Sequence, residues 1–410
     1  MIKSSTLIIA IKNIIIQAAI ICFLGLLGIA SANAQSKFDK LTDSLHHIFL
    51  QDSLPGLSVV LVNSKKIIYQ QNFGYADIDS KTPYAKKTIQ NIGSVSKTLI
   101  AFCLMKGIEL GYFTLETNIN DILPFKVINP NHPQDIITIR ELATHTSGII
   151  DNPLIYPNGY QFYPDARPYS KEALDAAQAI GYQQKLTDTS LMQFFYNYLD
   201  VKGTYYSPDN FGKDKSGSSY AYSNIGSALA AYLIEIKSGM SYADFTAKYI
   251  FKPLGMNNSG WFISAINIKK HAKLYYKHNL YFPLYNLLTY PDGGLKTSTS
   301  DLSKYLIAMI NGYQGHSNLL EKESFYTMFT PQFSIVSPPK GINLANRNKG
   351  IFWNIYPNGT IGHDGDDPGV STFLFFNIKT GIGGIFFCNE YLPNKQPIID
   401  LLLHAVNTLN

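Results

Sequence analysis

The chain has 410 residues, 46% hydrophobic and only 15% charged, a balance that supports a large buried core and excludes a disordered protein. Its 34 basic and 29 acidic residues give a formal net charge of +5, too even to imply a nucleic-acid partner. Three cysteines in such a length exclude a disulfide framework.

The chain opens with Lys3 and Lys12, an apolar run from Ile14 to Ile29, and Ala32-Asn33-Ala34, the small-x-small form of a signal-peptidase site. A cleaved export signal over 1–34, cut between Ala34 and Gln35, is therefore expected, with a periplasmic or secreted product. An uncleaved anchor is the competing reading, because Ile14 to Ala32 approaches spanning length. Cys22 follows Ile21 and makes a poor lipoprotein cysteine. No stable membrane partner is expected of the processed chain.

"FDKLTDSLHHIFLQD" has helical periodicity, and "GLSVVLVN" with "KKIIYQQNFG" reads as two strands joined at Asn63-Ser64. Further helices are expected in "TIRELATHTSG", in "SNIGSALAAYLIEIKSG" with Gly239 as its stop, in "SYADFTAKYIFKPLG" after a Ser241 cap, and in "TSTSDLSKYLIAMINGY". Strands broken by Pro-Asn-Gly and Lys-Thr-Gly turns follow in "KGIFWNIYPNGTIGHDG" and "STFLFFNIKTGIGGIFFCNE", and "NKQPIIDLLLHAVNTLN" closes the chain as an amphipathic helix. Strands at both ends with helices between predict an α+β architecture, one antiparallel sheet built from both chain ends with a helical insertion. The expected lobes are a sheet lobe of about 35–90 and 290–410 and a helical lobe of about 91–289. No solenoid repeat is present.

Nine histidines include no HExxH and no Cys/His spacing suited to zinc, so neither a metal nor another cofactor is expected. Cys103 in an apolar helix and Cys388 ending an apolar strand read as buried thiols, a single bridge being the lesser alternative.

One stretch carries chemistry. In "NIGSVSKTLIAFCLM" (91–105) a lone lysine, Lys97, stands among Val95, Leu99, Ile100 and Leu104, three residues after Ser94. At that spacing the two side chains share a helix face. Desolvation disfavours the charged amine, which can then accept the serine proton and make the hydroxyl nucleophilic. Gly93 permits a tight turn presenting Ser94 at a helix N-terminus, where free N–H groups can hold an oxyanion. A snorkelling lysine beside an ordinary capping serine is the bland alternative.

Ser94-Val95-Ser96-Lys97, Tyr222-Ser223-Asn224 and His363-Asp364-Gly365, in that order, together resemble the three motifs of the serine β-lactamase and penicillin-binding-protein superfamily. The resemblance is to the branch of class C β-lactamases, DD-peptidases, D-aminopeptidases and esterases. It extends to "LATHTSGI", "FKPLGM" and "PDGGLKTSTSDLSKYL", covering about residues 36–408. It implies a β-lactamase/transpeptidase-like fold and a Ser94 acyl-enzyme on a small peptide, amide or ester, cell-wall peptides among them. By that likeness Tyr222 relays a proton or is phenolate-like, His363 lends it charge or a proton, and Asn224 holds the substrate's acyl amide. The N–H groups of Ser94 and Asp366 form the oxyanion hole, with Gly365 leaving room beside the strand. From the residues alone, Tyr222 could equally be a packed helix-entry aromatic, Asn224 a cap and His363 structural.

His363 stands where β-lactamases of this branch usually carry lysine, which points to a peptidase, aminopeptidase or esterase. A class C-like β-lactamase, or a penicillin-binding sensor that acylates without turnover, is the alternative. An inert scaffold using the fold only for protein contacts is opposed by the complete residue set, and an α/β-hydrolase by the lack of a Gly-x-Ser-x-Gly elbow. Asp364, Asp366 and Asp367 would favour an amine-bearing substrate if they face the cleft, but alternation would turn Asp364 and Asp366 away from His363. A solvated acidic turn explains them equally. The tyrosine-rich stretches 151–219 and 273–290 could wall an acyl pocket, form a lid, or simply pack between lobes.

Overall fold

Runs such as Leu57-Ser58-Val59-Val60-Leu61-Val62 are apolar at almost every position, the pattern of a strand covered on both faces. The computed structural model describes residues 38–162, 170–179, 190–277 and 280–408, so the expected signal over 1–34 lies outside the described residues. Among the described residues no helix is long and apolar enough to cross a membrane.

Numbered along the main sheet alone, the strands are β1 (Gly56–Val62), β2 (Ile67–Asp77), β3 (Thr82–Pro83), β4 (Asn348–Lys349), β5 (Asn354–Ile355), β6 (Thr360–Asp367), β7 (Val370–Asn377) and β8 (Ile382–Cys388). They lie in the order β4-β5-β6-β7-β8-β1-β2-β3, all antiparallel. The two chain ends meet where β1 pairs with β8, Leu57 opposite Cys388 and Val62 opposite Gly383.

Alternation splits these strands between two cores. Leu57, Val59 and Leu61 of β1, Phe373 and Phe375 of β7, and Phe386 of β8 face helices α1 (38–51) and α5 (Gln396–Thr408), meeting Leu41, Leu45, Leu402 and Val406. Val60, Val62, Leu374, Phe376, Ile385 and Phe387 face the larger core built by the middle of the chain. That core holds α2 (Lys97–Glu109), α3 (Asn224–Ser238) and α4 (Thr299–Tyr313). Ser298 caps α4 by accepting from the Asp301 N–H at 3.2 Å, and Gly239, at φ +66°, ends α3 in the left-handed conformation its position requires. The expected helix after Ser241 is interrupted. It runs as α-helix over Tyr242–Thr246, widens to a π turn over Ala247–Phe251 and tightens again over Lys252–Leu254, where Pro253 brings no N–H to the ladder.

Cys103 and Cys388 are both buried free thiols, Cys103 in the larger core and Cys388 in the smaller one across the sheet, so no bridge forms between them.

Candidate active site

Gly93, at φ +53°, turns the chain after Ile92 into a single 3₁₀ turn, Gly93–Ser96, that runs on into α2. Ser94 therefore stands just ahead of the α-helix. One turn later Lys97 is fully buried, and its Nζ lies 3.0 Å from Ser94 Oγ. Two further oxygens hold the amine: Asn224 Oδ1 at 2.6 Å and the Asp292 carbonyl at 2.7 Å. Neither oxygen can donate, so each takes one N–H. A neutral amine has only two, which leaves its lone pair for the Ser94 hydroxyl. Burial lowers the Lys97 pKa below the usual lysine value, against the opposing pull of Asp292, Asp151, Asp367 and Asp364.

Asn224 is free to reach Lys97 because other groups cap its helix. Ser223 Oγ accepts from the Gly226 N–H at 2.9 Å. Asp151 receives the Asn224 N–H at 2.8 Å, the Ile225 N–H at 2.9 Å and the Ser223 hydroxyl at 3.0 Å. A carboxylate there also complements the helix dipole. Asp151→Ala strips three donors of one acceptor and is expected to lower unfolding free energy by about 1–3 kcal/mol. Urea unfolding measures it, and a midpoint unchanged from wild type refutes the anchoring role.

Tyr222 lies over the lysine, with Lys97 Nζ 4.9 Å from the ring centre. It borders the same cleft as Ser94, and 39% of its surface remains open. The protein packed around it raises its pKa well above the usual tyrosine value, the neighbouring Ser94 hydroxyl opposing and the nearby aspartates adding. A tyrosine pKa moved in that direction favours the proton-relay role over the phenolate one. His145 stacks on it, ring centres 4.4 Å apart. Held at φ +60°, His145 accepts the Ser223 N–H at Nδ1. Tyr220, the rival tyrosine, instead packs edge-on against His145 and under Arg347.

On β6, His363 places its ring 6.3 Å from that of Tyr222. Its Nδ1 lies 2.6 Å from the Asp364 carbonyl and so carries the proton, while Nε2 is buried without a partner among the described residues. Burial and the neighbouring Lys349 push its pKa down to about 3. A neutral ring lends Tyr222 no charge; what it offers is an acceptor nitrogen. Two residues on, a methyl at Gly365 would come within 3.0 Å of the Ser94 nitrogen, and one at Gly93 within 3.0 Å of the Asp366 nitrogen. The two amides assigned by resemblance to the oxyanion hole are thus neighbours, and glycine keeps the approach clear.

Asp364 and Asp366 share Lys395, at 3.1 and 2.5 Å. Their charge is therefore largely answered within the protein. With Ser94, Tyr222, Asn224 and His363 they border a cleft of about 420 Å³ whose remaining walls include Tyr220, Asn354 and Arg347. Sequence reasoning missed Arg347, His145 and Asp292. Asp292 is fully buried and driven up to about 7 by that burial, with Lys97 opposing. It carried the same signal as Lys97, a lone charge in an apolar run, in "YNLLTYPDGGL".

A serine primed by a buried lysine, overlain by tyrosine and flanked by a histidine strand, on a sheet closed by both chain ends, defines the serine acyl-transfer class of β-lactamases and penicillin-binding proteins. Comparison with known proteins agrees: the Beta-lactamase family model matches residues 34–406, and the chain belongs to that family, whose chemistry is that of a serine hydrolase. It is 26% identical over 359 residues to penicillin-binding protein 4* of Bacillus subtilis, covering 83% of this chain and 68% of that one. To protein flp of Staphylococcus aureus it is 22% identical over 369 residues, covering 88% of this chain and spanning only 65% of the relative's length. Among solved structures, the octameric penicillin-binding protein homologue from Pyrococcus abyssi superposes with a TM-score of 0.70 at 24% identity, over 89% of this chain and 77% of that one. The penicillin binding protein from Bacillus halodurans gives 0.66 at 20% identity, over 88% and 98%.

Proposed function

We propose that the chain is an exported serine hydrolase that forms an acyl-enzyme at Ser94 on a small peptide, amide or ester, in the manner of a DD-peptidase, D-aminopeptidase or esterase. The observation that carries this reading is the buried lysine nitrogen 3.0 Å from Ser94 Oγ, with Asn224 Oδ1 and the Asp292 carbonyl as its other two partners. In the reaction Lys97 takes the Ser94 proton as Oγ attacks the carbonyl, and the Ser94 and Asp366 amides receive the oxyanion. Tyr222 passes its proton to the departing group and is reprotonated by the Lys97 ammonium beside it, which restores the neutral base. Water then attacks the ester by the reverse route and frees Ser94. β-Lactam acylation with slow release is the second reading, supported by the penicillin-binding relatives.

Arg347 supports a carboxylate on the substrate, since its guanidinium presents a fork of donors on the cleft wall while Asp364 and Asp366, which line the same cleft, are answered by Lys395. The test is a panel: a D-alanyl-D-alanine peptide, its C-terminal amide, a p-nitrophenyl ester and a chromogenic cephalosporin. Arg347→Ala is expected to raise KM for the free-acid peptide about 10- to 100-fold, the worth of a charged hydrogen bond, leaving the ester within about 2-fold. Equal losses on acid and amide refute the carboxylate role, and no turnover of any member refutes the hydrolase.

A further inference from the structure

Successive side chains of a strand point to opposite faces, so on β6 His363, Gly365 and Asp367 share one side, Asp364 and Asp366 the other. The pairing follows that division. Lys395 takes Asp364 and Asp366, but no described cation bonds to Asp367. Asp367 is only 8% exposed; its Oδ1 accepts from the Tyr160 hydroxyl at 2.6 Å, and its Oδ2 has no partner among the described residues.

That carboxylate borders a second cavity, of about 670 Å³, which shares Asp366 as a wall with the catalytic cleft. Its other sides are the rings of Tyr156, Tyr160, Tyr276, Phe282 and Tyr391, together with Glu390. No lysine, arginine or histidine among the described residues lines it. Glu390 is raised to about 7 by burial alone. Asp367 is raised to about 7 as well, burial outweighing the Tyr160 hydrogen bond, the neighbouring Tyr285 hydroxyl and the more distant Lys296 and Lys97. Ring faces carry negative potential, and a cavity combining them with unanswered carboxylates is matched by a cation that is partly apolar. A neutral apolar group would use the rings but leave Asp367 Oδ2 unpaired.

We propose that this cavity is a subsite for an ammonium group on the acyl part of the substrate, with the aromatic rings around it and Asp367 as its counter-charge. The assignment to the acyl part rests on the Ser94 acyl-enzyme reading and on Arg347, which borders the cleft but not this cavity and so marks the leaving-group side. The substrate it describes carries a positive group beyond its reacting carbonyl and a carboxylate on the portion released.

The test compares p-nitrophenyl esters of aminohexanoic acid and heptanoic acid, alike in length and different in charge, on wild type, Asp367→Asn and Tyr276→Ala. Wild type is expected to favour the ammonium ester by about 10-fold or more in kcat/KM, Asp367→Asn to bring that ratio near unity, and Tyr276→Ala to reduce it about 3-fold. The heptanoyl ester should keep its wild-type rate within about 2-fold in Asp367→Asn, which separates charge recognition from misfolding. Tyr276 lies largely at the surface, so its variant reads the subsite even where Asp367→Asn fails to fold. Equal rates for both esters in wild type, a preference for heptanoyl, or an ammonium preference that survives both substitutions overturns the subsite. If neither ester is cleaved and a fluorophosphonate leaves Ser94 unlabelled, the acyl-enzyme reading itself fails; cleavage without preference sinks only the subsite.

Discussion

Ser94→Ala is expected to lose at least about 10⁴-fold in kcat on whichever panel substrate wild type turns over fastest, the scale of removing a nucleophile. Residual rate would come from the oxyanion amides and binding alone, since the backbone of the Gly93–Ser96 turn does not depend on the hydroxyl. Intact-protein mass after incubation with a fluorophosphonate or a penicillin gives the sharper reading: wild type gains one adduct and the variant none. The fold should persist, because Oγ is the only atom removed and Lys97 keeps Asn224 and the Asp292 carbonyl as partners. An adduct of equal yield on the variant would place the nucleophile elsewhere and end the assignment.

Lys97→Met is expected to cost about 10²- to 10⁴-fold in kcat/KM, the usual contribution of a positioned base. Stability should move far less. Removing a buried amine relieves its desolvation, while Asn224 Oδ1 and the Asp292 carbonyl lose a donor, two effects of about 1–3 kcal/mol that act in opposite directions. A large loss of rate with little loss of fold separates a base from a structural lysine. The pH profile makes the same point. The neutral amine is the active form, so rate falls as pH drops through the Lys97 pKa, and burial sets that limb below the ordinary lysine range. Asp292 raises the Lys97 pKa, so Asp292→Asn should shift the limb to lower pH. An unmoved limb in Asp292→Asn, or the same limb persisting in Lys97→Met, refutes lysine as the titrating group.

What was legible in the sequence was local. Ser94 and Lys97 are three residues apart, and helical spacing alone brings them together. The doubly apolar strands and both terminal helices were readable for the same reason, each pattern being complete within its own segment. Other parts of the site are assembled from residues far apart in the chain. His145 matters through a ring stack on Tyr222, and nothing in "LATHTSGI" states that contact. Arg347 sits in "NLANRNKG", without helical or strand periodicity, and reaches the cleft only because the strands after it pair as they do. The alternation along β6 was visible, but which face meets the cleft was not. In the structure Asp364 and Asp366 both pair with Lys395, while Asp367 borders the aromatic cavity, of which Asp366 is also a wall.

Because β1 lies beside β8, the middle of the sheet cannot zip until the last part of the chain has been made. Contacts so distant in sequence carry a large loop-closure entropy and slow the search for the native state. Until then β1 presents an apolar edge that invites pairing with other chains. The helices that end the described chain lie together, Phe38 and Leu41 beside Leu401 and Ala405. New termini cut elsewhere, with Phe38 joined to Thr408 by a short linker, would bring β1 and β8 within about 40 residues of each other and should speed refolding.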